Sequence, residues 1–339
     1  MNSPIVTFCT PAYNRPEYLR RTIQSCLAQT YQNFEIVITD NSTNEESAKV
    51  VKSIHDPRIR YYHNDGNLGP VGSCTRAVSL AQGKYVQILM DDDLIKPRFL
   101  ELMVDVFERN PTVGVVMAPM ALIDENDTRI FPRFYLIQKK EYRYRYQLGD
   151  GLVERKRVLR DFLTGAAGDY PCCVPSGILY RAEALKLTWP FDAKADFAGD
   201  VQMCLKMAPY WDFYYIDEVL SAWRYTPTNH TARLHQKGLE ITAFYYITNQ
   251  CLANPAVQEM FRNEWEAFRQ KSMFFCTSRA AILNGLAAVR ARSPKLLCET
   301  VTTIFREDPY LTNFLRLPFW VLGQAFASIF PPTLPRARE

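Results

Sequence analysis

The sequence predicts an α/β chain with a mostly parallel, helix-covered central sheet followed by a helical C-terminal region, on three observations. Short β-branched and aromatic runs alternate with stretches of helical spacing through the first third of the chain. Polar residues gather at the carboxyl ends of those runs, where open α/β sheets bind ligands. From Leu239 onward the spacing is almost wholly helical.

Ile5 to Cys9 reads as the first strand, closed by Thr10-Pro11, and Glu17 to Ala28 as a helix with Leu19, Ile23 and Leu27 on one face. Phe34 to Thr39 is a second strand ending at Asp40-Asn41-Ser42, Ile59 to Tyr62 a third, and Lys84 to Met90 a fourth ending at Asp91-Asp92-Asp93. A helix from Pro97 to Arg109 and a strand from Val113 to Ala118 follow. Asp124 to Pro175 is less regular. Within it Tyr135, Tyr142, Tyr144 and Tyr146 alternate with Lys139, Lys140, Arg143 and Arg145, which suits a solvated face or a loop contacting an acceptor.

The composition narrows the function classes. With 339 residues, 47% hydrophobic and 22% charged, the chain can bury one large core or two smaller ones. A formal charge of +4, thinly spread, supplies no basic stripe for nucleic acid. The excess lies in the last hundred residues, where 12 Lys and Arg stand against 8 Asp and Glu from Lys237 to Glu339. Nine cysteines without CxxC or zinc spacing suit reduced thiols, and adjacent Cys172 and Cys173 suit small buried hydrophobes. The first residues show no export signal, and no window holds the roughly 18 apolar residues of a spanning helix. A cytoplasmic protein is expected.

Three adjacent carboxylates repel one another unless a cation or solvent relieves them. Delivered by an apolar strand to its carboxyl end, Asp91-Asp92-Asp93 suits Mn²⁺ or Mg²⁺ held by oxygen ligands together with a diphosphate. A solvated turn capping the next helix is the plainer alternative. The triplet has company in Thr10-Pro11-Ala12-Tyr13-Asn14-Arg15, Asp40-Asn41-Ser42-Thr43, Asn67-Leu68-Gly69 and Gly83-Lys84-Tyr85. This ordered series resembles the family 2 glycosyltransferases, over roughly Pro4 to Arg224.

The resemblance implies a Rossmann-like GT-A domain over residues 1–236, with a nucleotide-sugar half to 120 and an acceptor half from 121, and a helical region at 237–339. It implies a nucleoside-diphosphate sugar donor, a UDP-sugar being favoured, and a glycan or lipid-linked acceptor. Pro11, Ala12, Tyr13, Asn14 and Arg15 would line the base and ribose, and Asp40 would accept a hydrogen bond from the base. An Asx turn would equally explain Asp40. Asn67 and Gly69 belong to the same donor site. Asp93 would coordinate the metal, with Asp91 and Asp92 on the ribose or on metal-bound water.

Trp189-Pro190-Phe191-Asp192 followed by Phe197 to Ala208 looks like the family's acceptor motif, which makes Asp200 the general base of an inverting transfer and Asp196 the reserve. An ordinary helix N-cap is the alternative for Asp200. His230, after Trp223-Arg224-Tyr225, falls where such enzymes close the donor site, as a metal ligand or a solvated loop histidine; Arg224 would contact the diphosphate. The chain departs from the family pattern at Met90, where an Asp is common, at Asn41 after Asp40, and at Gly199, where Glu is usual.

Two other readings stand beside this one. A nucleotidyltransferase shares the sheet and acidic site, but Pro11 to Arg15 lacks the glycines its triphosphate loop wants. A non-catalytic nucleotide-sugar or carbohydrate-binding module fits Met90 and Gly199. Tyr310 to Phe330 is rich in Leu and Phe but broken by Arg316, Pro318 and Gln324, so it suits peripheral contact with the inner face of a membrane, core packing, or a homo-oligomer contact.

Overall fold

The computed structural model describes residues 4–130, 149–164, 174–226 and 240–276. Cys172, Cys173, His230, the tyrosine- and lysine-rich stretch from Tyr135 to Tyr146, and Tyr310 to Phe330 lie outside the described residues, as does the side chain of Asp196.

The first half follows the expected alternation. Strand β1 (Val6–Ala12), helix α1 (Pro16–Leu27), β2 (Phe34–Asp40), α2 (Glu46–Ser53), β3 (Ile59–His63), α3 (Gly69–Ser79) and β4 (Tyr85–Ile88) succeed one another. β1 and β2 are buried at every residue, as strands covered on both faces must be. Side chains alternate between faces with the period of a strand. Val6 and Phe8 of β1 and Tyr85 of β4 join a core with Leu19 and Ile23 of α1. Cys9, Val86 and Ile88 join the opposite core with Ala77 of α3. Pro16 sits in the first turn of α1, where its missing N–H costs nothing.

The motif glycine before β4 has a steric cause. A Cβ on Gly83 would lie 2.6 Å from the Thr7 backbone nitrogen and 2.8 Å from the Tyr85 carbonyl oxygen. Its N–H donates to Thr7 Oγ1 at 2.8 Å, so the chain enters β4 pressed against β1.

After β4 come β5 (Leu94–Ile95), α4 (Phe99–Arg109), β6 (Val113–Met117), β7 (Met120–Ile123), β8 (Gly151–Val153), α5 (Arg155–Thr164), β9 (Ile178–Arg181), α6 (Gly199–Met207), β10 (Asp212–Tyr215), β11 (Ser221–Arg224) and α7 (Glu240–Leu252). The eight-stranded sheet has the order β3-β2-β1-β4-β9-β6-β10-β8. β3, β2, β1 and β4 run parallel, as β6 and β10 do, while β9 and β8 are antiparallel to their neighbours. β5, β11 and β7 form a second, three-stranded sheet. Ala243, Phe244 and Ile247 of α7 and Phe268 of the helix at 265–276 share the core that β4 and β9 line. Among the described residues no helix is long and apolar enough to cross a membrane.

Candidate active site

β1 and β4 are adjacent and parallel, so the loops that follow them share a crevice beyond their carboxyl ends. The acidic triplet follows β4 into that crevice, and the loop after β1 meets it there. Tyr13 donates its backbone N–H to Asp91 Oδ2 at 3.0 Å. The Arg15 guanidinium bridges the next two carboxylates, one terminal nitrogen on Asp91 Oδ1 and the other on Asp92 Oδ2.

Asp93 turns the other way. Its Oδ2 accepts from the Ser176 hydroxyl and its Oδ1 from the Arg224 backbone N–H at 2.9 Å. Burial pushes all three carboxyls up: Asp91 to about 7 with Arg15 pulling against the shift, Asp92 upward, and Asp93 well above the ordinary range, helped by the charge of Asp92.

Arg224, expected on the diphosphate, is fully buried. Nε donates to the Asp92 carbonyl at 2.9 Å, the terminal nitrogens go to the Asp124 carbonyl and the Asp127 carboxylate, and the guanidinium carbon lies 4.4 Å from the centre of the Tyr18 ring. With its surface covered, Arg224 holds the acidic loop from beneath.

The loops that follow β1, β2 and β3 are tied into one rim. Asn14, at φ +52°, donates its N–H to Ser42 Oγ at 2.8 Å and accepts the Thr43 N–H on Oδ1 at 3.0 Å. Pro11 and Ala12 are buried at the end of β1, where the Ala12 carbonyl accepts from Asn41 N–H. Tyr13 stands 43% exposed over the opening. Asn67 Oδ1 accepts from Gly69 N–H at 2.8 Å, and Gly69 takes φ +69°, a conformation that favours glycine. Asn41 joins this loop to β2, accepting from Leu68 N–H and donating to the Gly69 carbonyl.

Asp40 sits behind the rim with no exposed surface. Its Oδ1 accepts from Ser42 N–H at 2.8 Å and its Oδ2 from the Tyr61 hydroxyl at 2.7 Å. This is the Asx turn, and it shapes the loop that carries Ser42 and Thr43.

Asp200 lies in the first turn of α6, whose N-cap is Ala198. It is therefore not the capping residue. Its carboxylate accepts from its neighbour, Val201 N–H, at 2.7 Å, and burial lifts its pKa to about 7. The turn before it, Ala193–Ala198, packs against α3, which starts at that rim. Asp192 fastens this segment to α7, accepting from the Tyr246 hydroxyl at 2.6 Å and from Gln202 Nε2 at 3.1 Å.

A divalent cation suits part of this donor set. Asp91 and Asp92 present hard oxygen ligands to a single positive group, the Arg15 guanidinium, and so converge on one place for a cation. Asp93, expected to be the ligand, faces Ser176 and Arg224. Among the described residues no three His, Cys, Asp or Glu side chains group as a metal site.

The model of "Glycosyl transferase family 2" matches residues 7–186, more than half of the chain. The chain belongs to that family. Among its relatives, an uncharacterized glycosyltransferase of Methanocaldococcus jannaschii is 35% identical over 130 residues, 37% of this chain and 45% of that protein. The putative colanic acid biosynthesis glycosyl transferase WcaA of Escherichia coli is 37% identical over 103 residues, 30% of this chain and 37% of that protein. The matched stretches span less than half of these relatives. In fold, the chain is similar to S. aureus TarS 1–349 in complex with UDP-GlcNAc, at TM-score 0.58 and 14% identity over 90% of this chain and 93% of that one. It is also similar to the mannosyltransferase PcManGT from Pyrobaculum calidifontis in complex with GDP-Man and Mn²⁺, at TM-score 0.57 and 16% identity over 98% of this chain and 89% of that one. The chain has the GT-A fold.

Ser176, Tyr18, Tyr61 and Tyr246 were not legible as site residues. Each acts through a partner far along the chain, and only the serine after Pro175, leading into a strand, had any local mark.

Proposed function

We propose that this glycosyltransferase is inverting and moves a sugar from a nucleoside-diphosphate sugar, a UDP-sugar being favoured, to a hydroxyl of a glycan or lipid-linked acceptor in surface polysaccharide or glycoconjugate synthesis. The observation that carries the reading is Asp200: a carboxylate in the first turn of a helix, not used as its cap, with its pKa raised to about 7 by burial. A general base works best when its pKa lies near the working pH. The bound complexes of TarS and PcManGT support nucleotide sugars as the donor class.

In this reading Tyr13, Asn14 and the Asn67–Gly69 turn hold the base and ribose, and Arg15 with Asp91 and Asp92 serves the diphosphate end. Asp91 and Asp92 would hold Mn²⁺ or Mg²⁺, which when bound supplies positive charge to the departing diphosphate. Asp200 accepts the proton of the acceptor hydroxyl as its oxygen forms the new bond to the anomeric carbon and the bond to the diphosphate breaks.

Asp200→Asn tests this. The expected result is a loss of about 10²- to 10⁴-fold in transfer with donor affinity unchanged. Near-normal transfer rejects Asp200 as the base. Selective loss in Asp196→Asn moves the role there.

A further inference from the structure

Arg15 occupies the place between Asp91 and Asp92 that a cation would take. Its guanidinium makes the bidentate, charge-assisted contact that Arg makes with carboxylates and with phosphates alike. Asp91 and Asp92 are 1% and 9% exposed, whereas the Arg15 side chain is 37% exposed, so the acids are fixed and the arginine reaches in from the opening. The backbone of Arg15 is held, its carbonyl accepting from Leu19 N–H at 3.0 Å. Movement is therefore left to the side chain.

A divalent cation arriving at Asp91 and Asp92 would meet the guanidinium at the same oxygens. Three positive charges on two carboxylates repel, so one cation must leave. Arg224 cannot take over, because its guanidinium is committed to the Asp92 and Asp124 carbonyls and to Asp127. A guanidinium displaced into water loses two charge-assisted bonds; one displaced onto a diphosphate regains them.

We propose that Arg15 holds Asp91 and Asp92 as an internal cation in the donor-free protein and releases them to a divalent cation only as its guanidinium transfers to the donor's diphosphate. This rests on the nucleotide-sugar reading above. It makes metal and diphosphate mutually dependent ligands, each strengthening the other by the same factor.

The test is Mn²⁺ binding to the full chain, followed by the electron paramagnetic resonance of free Mn²⁺ without nucleotide, with UMP and with UDP, and corrected for Mn²⁺ complexed by UDP in solution. GDP is run in parallel so that base preference does not hide the effect. For the wild type the expected result is binding at least about tenfold tighter with a nucleoside diphosphate than with none, and no gain from UMP. Arg15→Ala should bind Mn²⁺ alone about tenfold more tightly than the wild type and lose most of the dependence on diphosphate. Arg15→Lys, a point charge that cannot bridge both carboxylates, should fall between. Equal Mn²⁺ affinity in the wild type with and without diphosphate overturns the exchange while leaving the metal site standing, and needs no variant. Tight binding that is unchanged in Arg15→Ala overturns it too. Absence of Mn²⁺ binding under every condition overturns both the exchange and the metal part of the proposed function.

Discussion

The backbone N–H of Arg224 reaches Asp93 Oδ1 at 2.9 Å across 131 positions of chain, joining the second sheet to the loop that ends β4. The same residue's guanidinium holds the Asp92 carbonyl and the Asp127 carboxylate. The acidic loop is thus fixed by β11, far along the chain.

Arg224→Met should destabilise the protein by about 3 kcal/mol. Removing one partner of a buried pair costs roughly 3–5 kcal/mol, and Asp127, 36% exposed, can recover some solvation. Arg224→Lys should rescue little, since one ammonium cannot satisfy two carbonyls and a carboxylate. Denaturant unfolding of the three proteins measures this. Equal stability of wild type and methionine variant would show that the network adds nothing.

Asp92→Asn and Asp93→Asn should separate binding from folding. The first should abolish the Mn²⁺-dependent thermal stabilisation by a nucleoside diphosphate while leaving the unliganded melting temperature nearly unchanged. The second replaces one oxygen facing Ser176 or Arg224 with an NH₂ group, so it should lower the unliganded melting temperature. Thermal shifts with and without ligand check both, and a stable Asp93→Asn protein that has lost only the ligand response would return the metal to Asp93.

Asp200 predicts a pH profile. With its folded pKa near 7 against the ordinary 3.8, the carboxyl is neutral below about 7, and transfer should rise with pH through that value. The folded protein binds more protons than the unfolded one between those two values, so Asp200 costs stability progressively as pH rises from about 4 to 7. The stability of Asp200→Asn relative to the wild type should therefore grow over the same range. A difference in melting temperature that does not vary from pH 4 to 8 would contradict the raised carboxyl pKa.

Gly83→Ala should cost roughly 1–3 kcal/mol, because the new methyl meets backbone atoms of Thr7, Val6 and Tyr85 at 2.6 to 2.8 Å and not the end of a pliable side chain. Urea titration gives the value.

The tail predicts a separable phenotype. If Tyr310 to Phe330 is an interfacial anchor, deletion from Tyr310 onward releases the protein from anionic vesicles and leaves donor binding intact. Equal vesicle sedimentation of both forms assigns the segment to packing or to an oligomer contact.

What the sequence disclosed follows from range. Strands β1 to β4 and helices α1 and α4 announce themselves within a few residues, by β-branched runs and by apolar positions at helical spacing, and so does the crowding of Asn14, Asp40 and Asp91 at strand ends. The partners of those residues are not local. Nothing near Asp40 in the sequence reveals that Tyr61 bonds one of its oxygens. Nothing near Asp93 reveals Ser176 and Arg224, which are 83 and 131 positions away. β8 and α5 were hidden in a stretch without clear periodicity, and the antiparallel β9 has only four residues to declare itself.

β9 enters the large sheet between β4, which leads into the acidic triplet, and β6, although 89 residues of chain separate its first residue from the end of β4. Backbone hydrogen bonds on both sides of it weld the early and late parts of the chain into one stiff plate. A scissor or clamshell movement between the β1–β4 side and the β6–β10 side would have to tear that plate. The spacing of the groups along its edge is then set as by a ruler, and adaptation falls to the loops that leave it.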